Sequence, residues 1–138
     1  MSYLLDTSVL SELKRKTPHA GLVAWLESKP SSTLYLSVLT LGEIRKGINA
    51  LDDVNRRQRL SDWLEAELPV FFIGRILPVT AATADHWGKL MATAKRPLPA
   101  IDSLLAATAI EHNLTLVTRN PKDFIDLPVT LFNPWEGS

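Results

Sequence analysis

Tyr3-Leu4-Leu5-Asp6-Thr7-Ser8 is an apolar run closed by one acid and two hydroxyls. It reads as a buried strand over residues 2 to 6 that delivers a carboxylate to the mouth of a sheet. Thr7 or Ser8 can then cap the next helix. The same grammar recurs along the chain. Thr33-Leu34-Tyr35-Leu36-Ser37-Val38 and Leu114-Thr115-Leu116-Val117-Thr118 are rich in β-favouring residues and predict two more strands. Between them, Leu39, Leu41, Ile44 and Ile48 have helical spacing, as does the Ala- and Leu-rich run opened by Pro99-Ala100-Ile101-Asp102. Short helices are expected around Val9–Leu13 and Leu22–Leu26, and a longer one over residues 81 to 93. Residues 54 to 68 predict an amphipathic surface helix with Leu60, Trp63, Leu64 and Leu68 on one face. Phe71-Phe72-Ile73 and Ile76-Leu77-Pro78-Val79 read as strand pieces around Gly74, residues 119 to 126 as a loop, and Val129 to Phe132 as a last short strand. Strands alternating with helices predict an α/β domain, with a central, mostly parallel sheet flanked by helices. No linker, repeat or low-complexity tract interrupts it, so residues 1–138 are expected to form one domain.

Composition narrows the chemistry. Hydrophobic residues make up 46% of the 138, enough for a compact core. Fifteen basic residues balance fifteen acidic ones, so nucleic-acid binding cannot be argued from net charge. A local basic patch is still compatible with that balance. There is no Cys, which excludes disulfides, thiolate metal sites and Cys nucleophiles. No segment approaches the length of a membrane span and no signal-like stretch opens the chain, so a cytoplasmic protein without membrane contact is expected. His19, His86 and His112 are scattered without metal-ligand spacing. Phosphate-loop and nucleophile-elbow motifs are absent. A receiver-like domain would want paired acids after the first strand, where Asp6 stands alone.

Four acids are placed where parallel α/β folds gather function, near the carboxyl ends of strands. Asp6 ends the first strand, Glu43 lies in the helix after the second, Asp102 lies in the first turn of its helix, and Asp123 follows the strand 114–118. Crowded carboxylates repel, and a hard cation such as Mg²⁺ or Mn²⁺ relieves that repulsion. The matching chemistry is metal-assisted phosphodiester hydrolysis. Each acid also has an ordinary reading. Asp6 can be a helix cap, Asp102 a partner for the helix dipole, Glu43 a solvent-facing residue and Asp123 a turn cap.

Four segments, in order, carry a family resemblance. They are Tyr3-Leu4-Leu5-Asp6-Thr7-Ser8, Ser37-Val38-Leu39-Thr40-Leu41-Gly42-Glu43-Ile44-Arg45-Lys46-Gly47-Ile48, Pro99-Ala100-Ile101-Asp102-Ser103-Leu104-Leu105-Ala106-Ala107-Thr108-Ala109 and Leu116-Val117-Thr118-Arg119-Asn120-Pro121-Lys122-Asp123-Phe124. Together they resemble PIN-domain ribonucleases, specifically the VapC-type toxins of toxin–antitoxin pairs. Phe132-Asn133-Pro134-Trp135 resembles the FitB-like branch. The resemblance implies a PIN-like fold and a metal-dependent endoribonuclease. Asp6, Glu43 and Asp102 would be its acidic triad, binding one or two Mg²⁺ or Mn²⁺ ions and positioning a water. Many members carry a fourth acid where this chain has Asn120, and Asp123 is the nearest carboxylate. The fourth position is therefore open between Asn120 and Asp123. Thr7, Ser8 and Thr118 are candidate partners for the ligating carboxylates.

The resemblance also implies partners: an RNA substrate, a cognate antitoxin protein and a second copy of the chain in a homodimer. Lys14, Arg15, Lys16, Arg45, Lys46 and Arg119 are candidate phosphate contacts. Trp25, Leu60, Trp63 and Leu64 could line a groove for an antitoxin helix or could be core. The rival reading is a catalytically silent PIN-fold binding module. Loss of one or more acids would favour it, and all three triad acids are present.

Overall fold

In a computed structural model, which describes residues 1–136, the chain forms a parallel sheet covered on both faces. The last two residues of the expected 1–138 domain lie outside the described residues. Among the described residues five strands pair: β1 (Tyr3–Leu5), β2 (Leu34–Ser37), β3 (Ile76–Leu77), β4 (Thr115–Val117) and β5 (Leu131–Phe132), in the order β3-β2-β1-β4-β5. Every pairing is parallel. The central strand β1 lies with Tyr3 opposite Leu34 on one side and opposite Thr115 on the other. The chain builds outward from β1 through β2 and β3, then crosses back to add β4 and β5. The carboxyl ends of β1 and β4 therefore form a topological switch point, where such sheets open a crevice.

Alternation along the strands divides the core. Tyr3, Leu5, Leu34, Leu36 and Val117 face one cluster, covered by α1 (Thr7–Leu13), α2 (Ala20–Glu27) and α3 (Val38–Asn49). Leu4 and Leu116 face the other, against α6 (Ala81–Thr93) and α7 (Ala100–His112). Burial on both faces explains why β1 and β4 read as continuous apolar runs rather than alternating ones. In α7, Leu105, Ala106 and Ala109 share one packed stripe, and the small residues let α6 approach closely.

One expectation is corrected. Phe71-Phe72-Ile73 is not a strand. The helix that begins as α4 (Val54–Asp62) continues through a π-helical stretch, Trp63–Glu67, into α5 (Leu68–Phe71). The Leu68 N–H donates to the Trp63 carbonyl five residues back, and Pro69 has no N–H with which to resume the α ladder. Gly74, at φ 75°, then turns the chain into β3. Arg75 staples this turn: its guanidinium donates to the carbonyls of Ser31, Leu34 and Phe71. Part of the expected loop 119–126 is also helical, a 3₁₀ turn over Pro121–Phe124, with Phe124 buried beneath it.

Candidate metal centre

Asp6 leaves β1 and caps α1. Its Oδ1 accepts the Thr7 N–H at 2.7 Å, and its Oδ2 accepts the Ser8 hydroxyl at 3.1 Å. The Thr118 hydroxyl, just past β4 and fully buried, donates to the same Oδ2 at 2.8 Å. Asp6 thus ties the ends of two neighbouring strands together across 112 positions of sequence. Thr118 also accepts the Asn120 N–H at 3.1 Å, which sets the start of the 3₁₀ turn. On the other side, the Thr7 hydroxyl donates to Glu43 Oε1 at 2.5 Å, joining α1 to α3. The expected roles of Thr7, Ser8 and Thr118 as carboxylate partners match these bonds.

Asp102 occupies the first turn of α7, where the helix dipole favours a negative charge. Even so, its pKa is raised above the ordinary value. Burial is the leading cause, followed by the charges of Asp6, Asp123 and Glu43. Asp6, Asp123 and Glu43 are therefore near enough for their charges to act on the Asp102 carboxyl. Asp123 is brought there by a second device. Arg96 forks onto Asp126 at 2.8–3.2 Å and donates to the Asp123 carbonyl at 2.6 Å, pinning the 3₁₀ turn to the segment that leads into α7. That fork holds Asp126 below the usual carboxylate range. Asn120 and Asp123 are both exposed, and the Asn120 N–H is bonded to the Thr118 hydroxyl beside Asp6.

The donor set suits a hard divalent cation: four carboxylates, several hydroxyls and no thiolate. Among the described residues, none of the four acids forms an ion pair with Lys, Arg or His. Nor do any three His, Asp or Glu side chains stand close enough to cage an ion as they are. Both oxygens of Asp6 and Oε1 of Glu43 already accept hydrogen bonds, so a cation held here would share those oxygens with their donors.

Sequence reasoning did not single out Glu12. It is 4% exposed and lies outside the acidic cluster. It accepts the His19 N–H at 3.0 Å and Arg15 Nη1 at 3.2 Å, and Arg119 Nη1 lies 3.9 Å away. The signal was its place three residues after Val9, on the inward face of α1. Arg75, Arg96 and Asp126 were also passed over, because their partners are backbone carbonyls or distant loops.

A separate apolar groove of about 640 Å³ runs beside α1, α2 and the α4–α5 helix. Leu13, Val23, Leu26, Trp63 and Phe71 line it, with Lys14, Lys29, Glu27 and Glu67 among its charged residues. Of the four residues considered for such a groove, Trp63 lines it. Leu64 is core, while Leu60 and Trp25 pack half-buried against the core.

The sequence-family profile described as "PIN domain" matches residues 3–129. The chain belongs to the PIN-domain family. It is similar to Toxin FitB of Neisseria gonorrhoeae, with 38% identity over 96% of this chain and 97% of that protein. It is also similar to VapC ribonuclease Y4jK of Sinorhizobium fredii, at 35% identity over 96% of this chain and 97% of that one. Among solved structures, the FitAcB complex from Neisseria gonorrhoeae superposes with a TM-score of 0.91 at 38% identity, covering 96% of this chain and 98% of that one. VapBC2 from Rickettsia felis, bound to a DNA fragment from its promoter, superposes at 0.77 with 26% identity, covering 96% and 98%.

Proposed function

We propose that this protein is the toxin of a toxin–antitoxin pair, a Mg²⁺- or Mn²⁺-dependent endoribonuclease acting in the cytoplasm. The observation that carries the reading is the anchoring of Asp6 at the switch point of the sheet by Thr7, Ser8 and Thr118, with Glu43 held to the same end of α1 through the Thr7 hydroxyl. Relatives named as VapC ribonucleases and as Toxin FitB support it.

Asp6 and Asp102 would hold the cation directly, with Glu43 and Asp123 completing the site or orienting a water. A divalent ion there supplies charge neutralisation for a phosphate and lowers the pKa of a bound water. The residues of the chain do the positioning. Thr118, Ser8 and the Thr7 N–H fix the Asp6 carboxylate, and Thr7 fixes Glu43. The site lies at the carboxyl ends of the central strands β1 and β4, where an unpaired RNA strand can bring its backbone to the acids.

Solved relatives that carry an antitoxin support a protein partner for this chain. The groove beside α1 and α2 is apolar in its walls and charged at its rim, which suits an amphipathic antitoxin helix. The same reading carries a homodimer, which sedimentation of the purified chain would measure.

The test is RNA cleavage by the wild type, by Asp6→Asn and by Asp102→Asn, with Mg²⁺ or Mn²⁺ and with excess chelator. Cleavage should need both acids and the cation. Equal cleavage by the variants, or full activity in chelator, would sink the assignment.

A further inference from the structure

Arg119 follows Thr118 directly, so its backbone is anchored within the acidic site. Its N–H lies 3.4 Å from the Ser8 hydroxyl, which in turn donates to Asp6. Its side chain leaves the site along α1. There Glu12 and the C-terminal segment meet it. Glu12 Oε1 lies 3.9 Å from Nη1, and the guanidinium carbon stands 5.5 Å from the centre of the Trp135 ring. Asn133 closes the arrangement: its amide donates to the Arg119 carbonyl at 3.3 Å, and its side-chain oxygen accepts the Trp135 N–H at 2.9 Å. The Trp135 indole nitrogen is buried and has no hydrogen-bond partner among the described residues, so the ring face is what Trp135 contributes.

The geometry points to a clamp: Glu12 and Trp135 hold the Arg119 guanidinium beside the acidic cluster, as a grip for an RNA phosphate next to the one being cut. This rests on the ribonuclease reading above. Three physical arguments support it. First, Glu12 brings one negative charge to two guanidinia, Arg15 and Arg119, so the group keeps a net positive charge. Second, the Arg119 side chain is 54% exposed, so part of its planar donor fork faces solvent, where it can pair with phosphate oxygens. The cation–π contact with the Trp135 ring biases the orientation of that fork and lowers the entropy lost on binding. Third, Glu12 lies six residues beyond Asp6, so helical rise separates them by about 9 Å. That backbone offset is on the scale of the spacing between successive phosphates, so a group held at Glu12 suits a phosphate neighbouring the scissile one. Arg119 is thus a substrate-binding residue, while Glu12 and Trp135 are positioning residues.

The test compares wild type, Arg119→Ala, Trp135→Leu and Trp135→Phe in steady-state cleavage of a single-stranded RNA with Mn²⁺. Salt-dependent RNA binding is measured in parallel in an Asp102→Asn background, where bound RNA stays intact. Arg119→Ala should raise KM about five- to tenfold with kcat within about twofold, and reduce the log–log salt slope by about 0.7. Trp135→Leu should move KM the same way by less, and Trp135→Phe, which keeps a ring face, should restore it. If the wild type cleaves RNA but Arg119→Ala leaves KM and the salt slope unchanged, the clamp is overturned and the nuclease reading survives. A loss in kcat alone also overturns it. If the wild type does not cleave RNA, both fall.

Discussion

Thr118→Val removes one buried hydroxyl while keeping the side chain's shape. The Thr118 hydroxyl donates to Asp6 at 2.8 Å and accepts the Asn120 N–H at 3.1 Å. A hydrogen bond to a charged carboxylate contributes about 1.5–3 kcal/mol, and one between neutral groups about 0.5–1.5 kcal/mol. Thr118 is fully buried, so water cannot replace the lost bonds. The expected destabilisation is about 2–4 kcal/mol. For a chain of this length, each kcal/mol moves Tm by about 3 °C, so Tm should fall by about 6–12 °C. Denaturant unfolding of wild type, Thr118→Val and Thr118→Ser measures it, with Thr118→Ser retaining the hydroxyl and much of the stability. Cation affinity, followed by the rise of Tm with added Mn²⁺, should weaken about 10- to 100-fold in Thr118→Val, because Asp6 loses its orienting partner. A Thr118→Val protein within about 0.5 kcal/mol of wild type would refute the reasoning. So would equal destabilisation by Thr118→Ser, which keeps the hydroxyl.

Asp102→Asn should raise Tm at pH 7 in metal-free buffer. The Asp102 pKa is raised in the folded protein, first by burial and then by its acidic neighbours. Its contribution to stability is therefore fully present below the ordinary aspartate pKa of about 4 and is lost as pH rises through the folded value. The gap between variant and wild type should close as pH falls toward 4, and thermal unfolding across that range checks the sign. Phe124→Ala should cost about 3–5 kcal/mol, since the ring is 2% exposed and packs beneath the turn that carries Asp123. Denaturant unfolding would measure the loss, and a cost under about 1 kcal/mol would contradict this packing.

The strands were legible where burial on both faces leaves an uninterrupted apolar run, as in Tyr3-Leu4-Leu5 and Leu116-Val117. Asp6, Glu43 and Asp102 stood out because each sits just past a strand or in the first turns of a helix. Phe71-Phe72-Ile73 misled because three β-favouring residues share a local pattern with the end of a helix, and a π stretch displaced the ladder before Pro69. What local pattern could not carry was the long-range polar wiring. Arg96 reaches Asp126 across 30 residues and thereby sets Asp123, and Arg75 spans 44 to meet the Ser31 carbonyl. Whether Asn120 or Asp123 supplies the fourth position depends on that wiring. Asp123 lies close enough for its charge to raise the Asp102 pKa, while the Asn120 backbone shapes the turn.

Anomalous diffraction from crystals of the wild type and of Asp102→Asn grown with Mn²⁺ tests the central claim most directly. One or two anomalous peaks are expected in the wild type, with the first within about 2.0–2.4 Å of carboxylate oxygens of Asp6 and Asp102. That peak should vanish or weaken in Asp102→Asn. A strong Mn²⁺ peak elsewhere with none between Asp6 and Asp102, or an unchanged peak in Asp102→Asn, would contradict it.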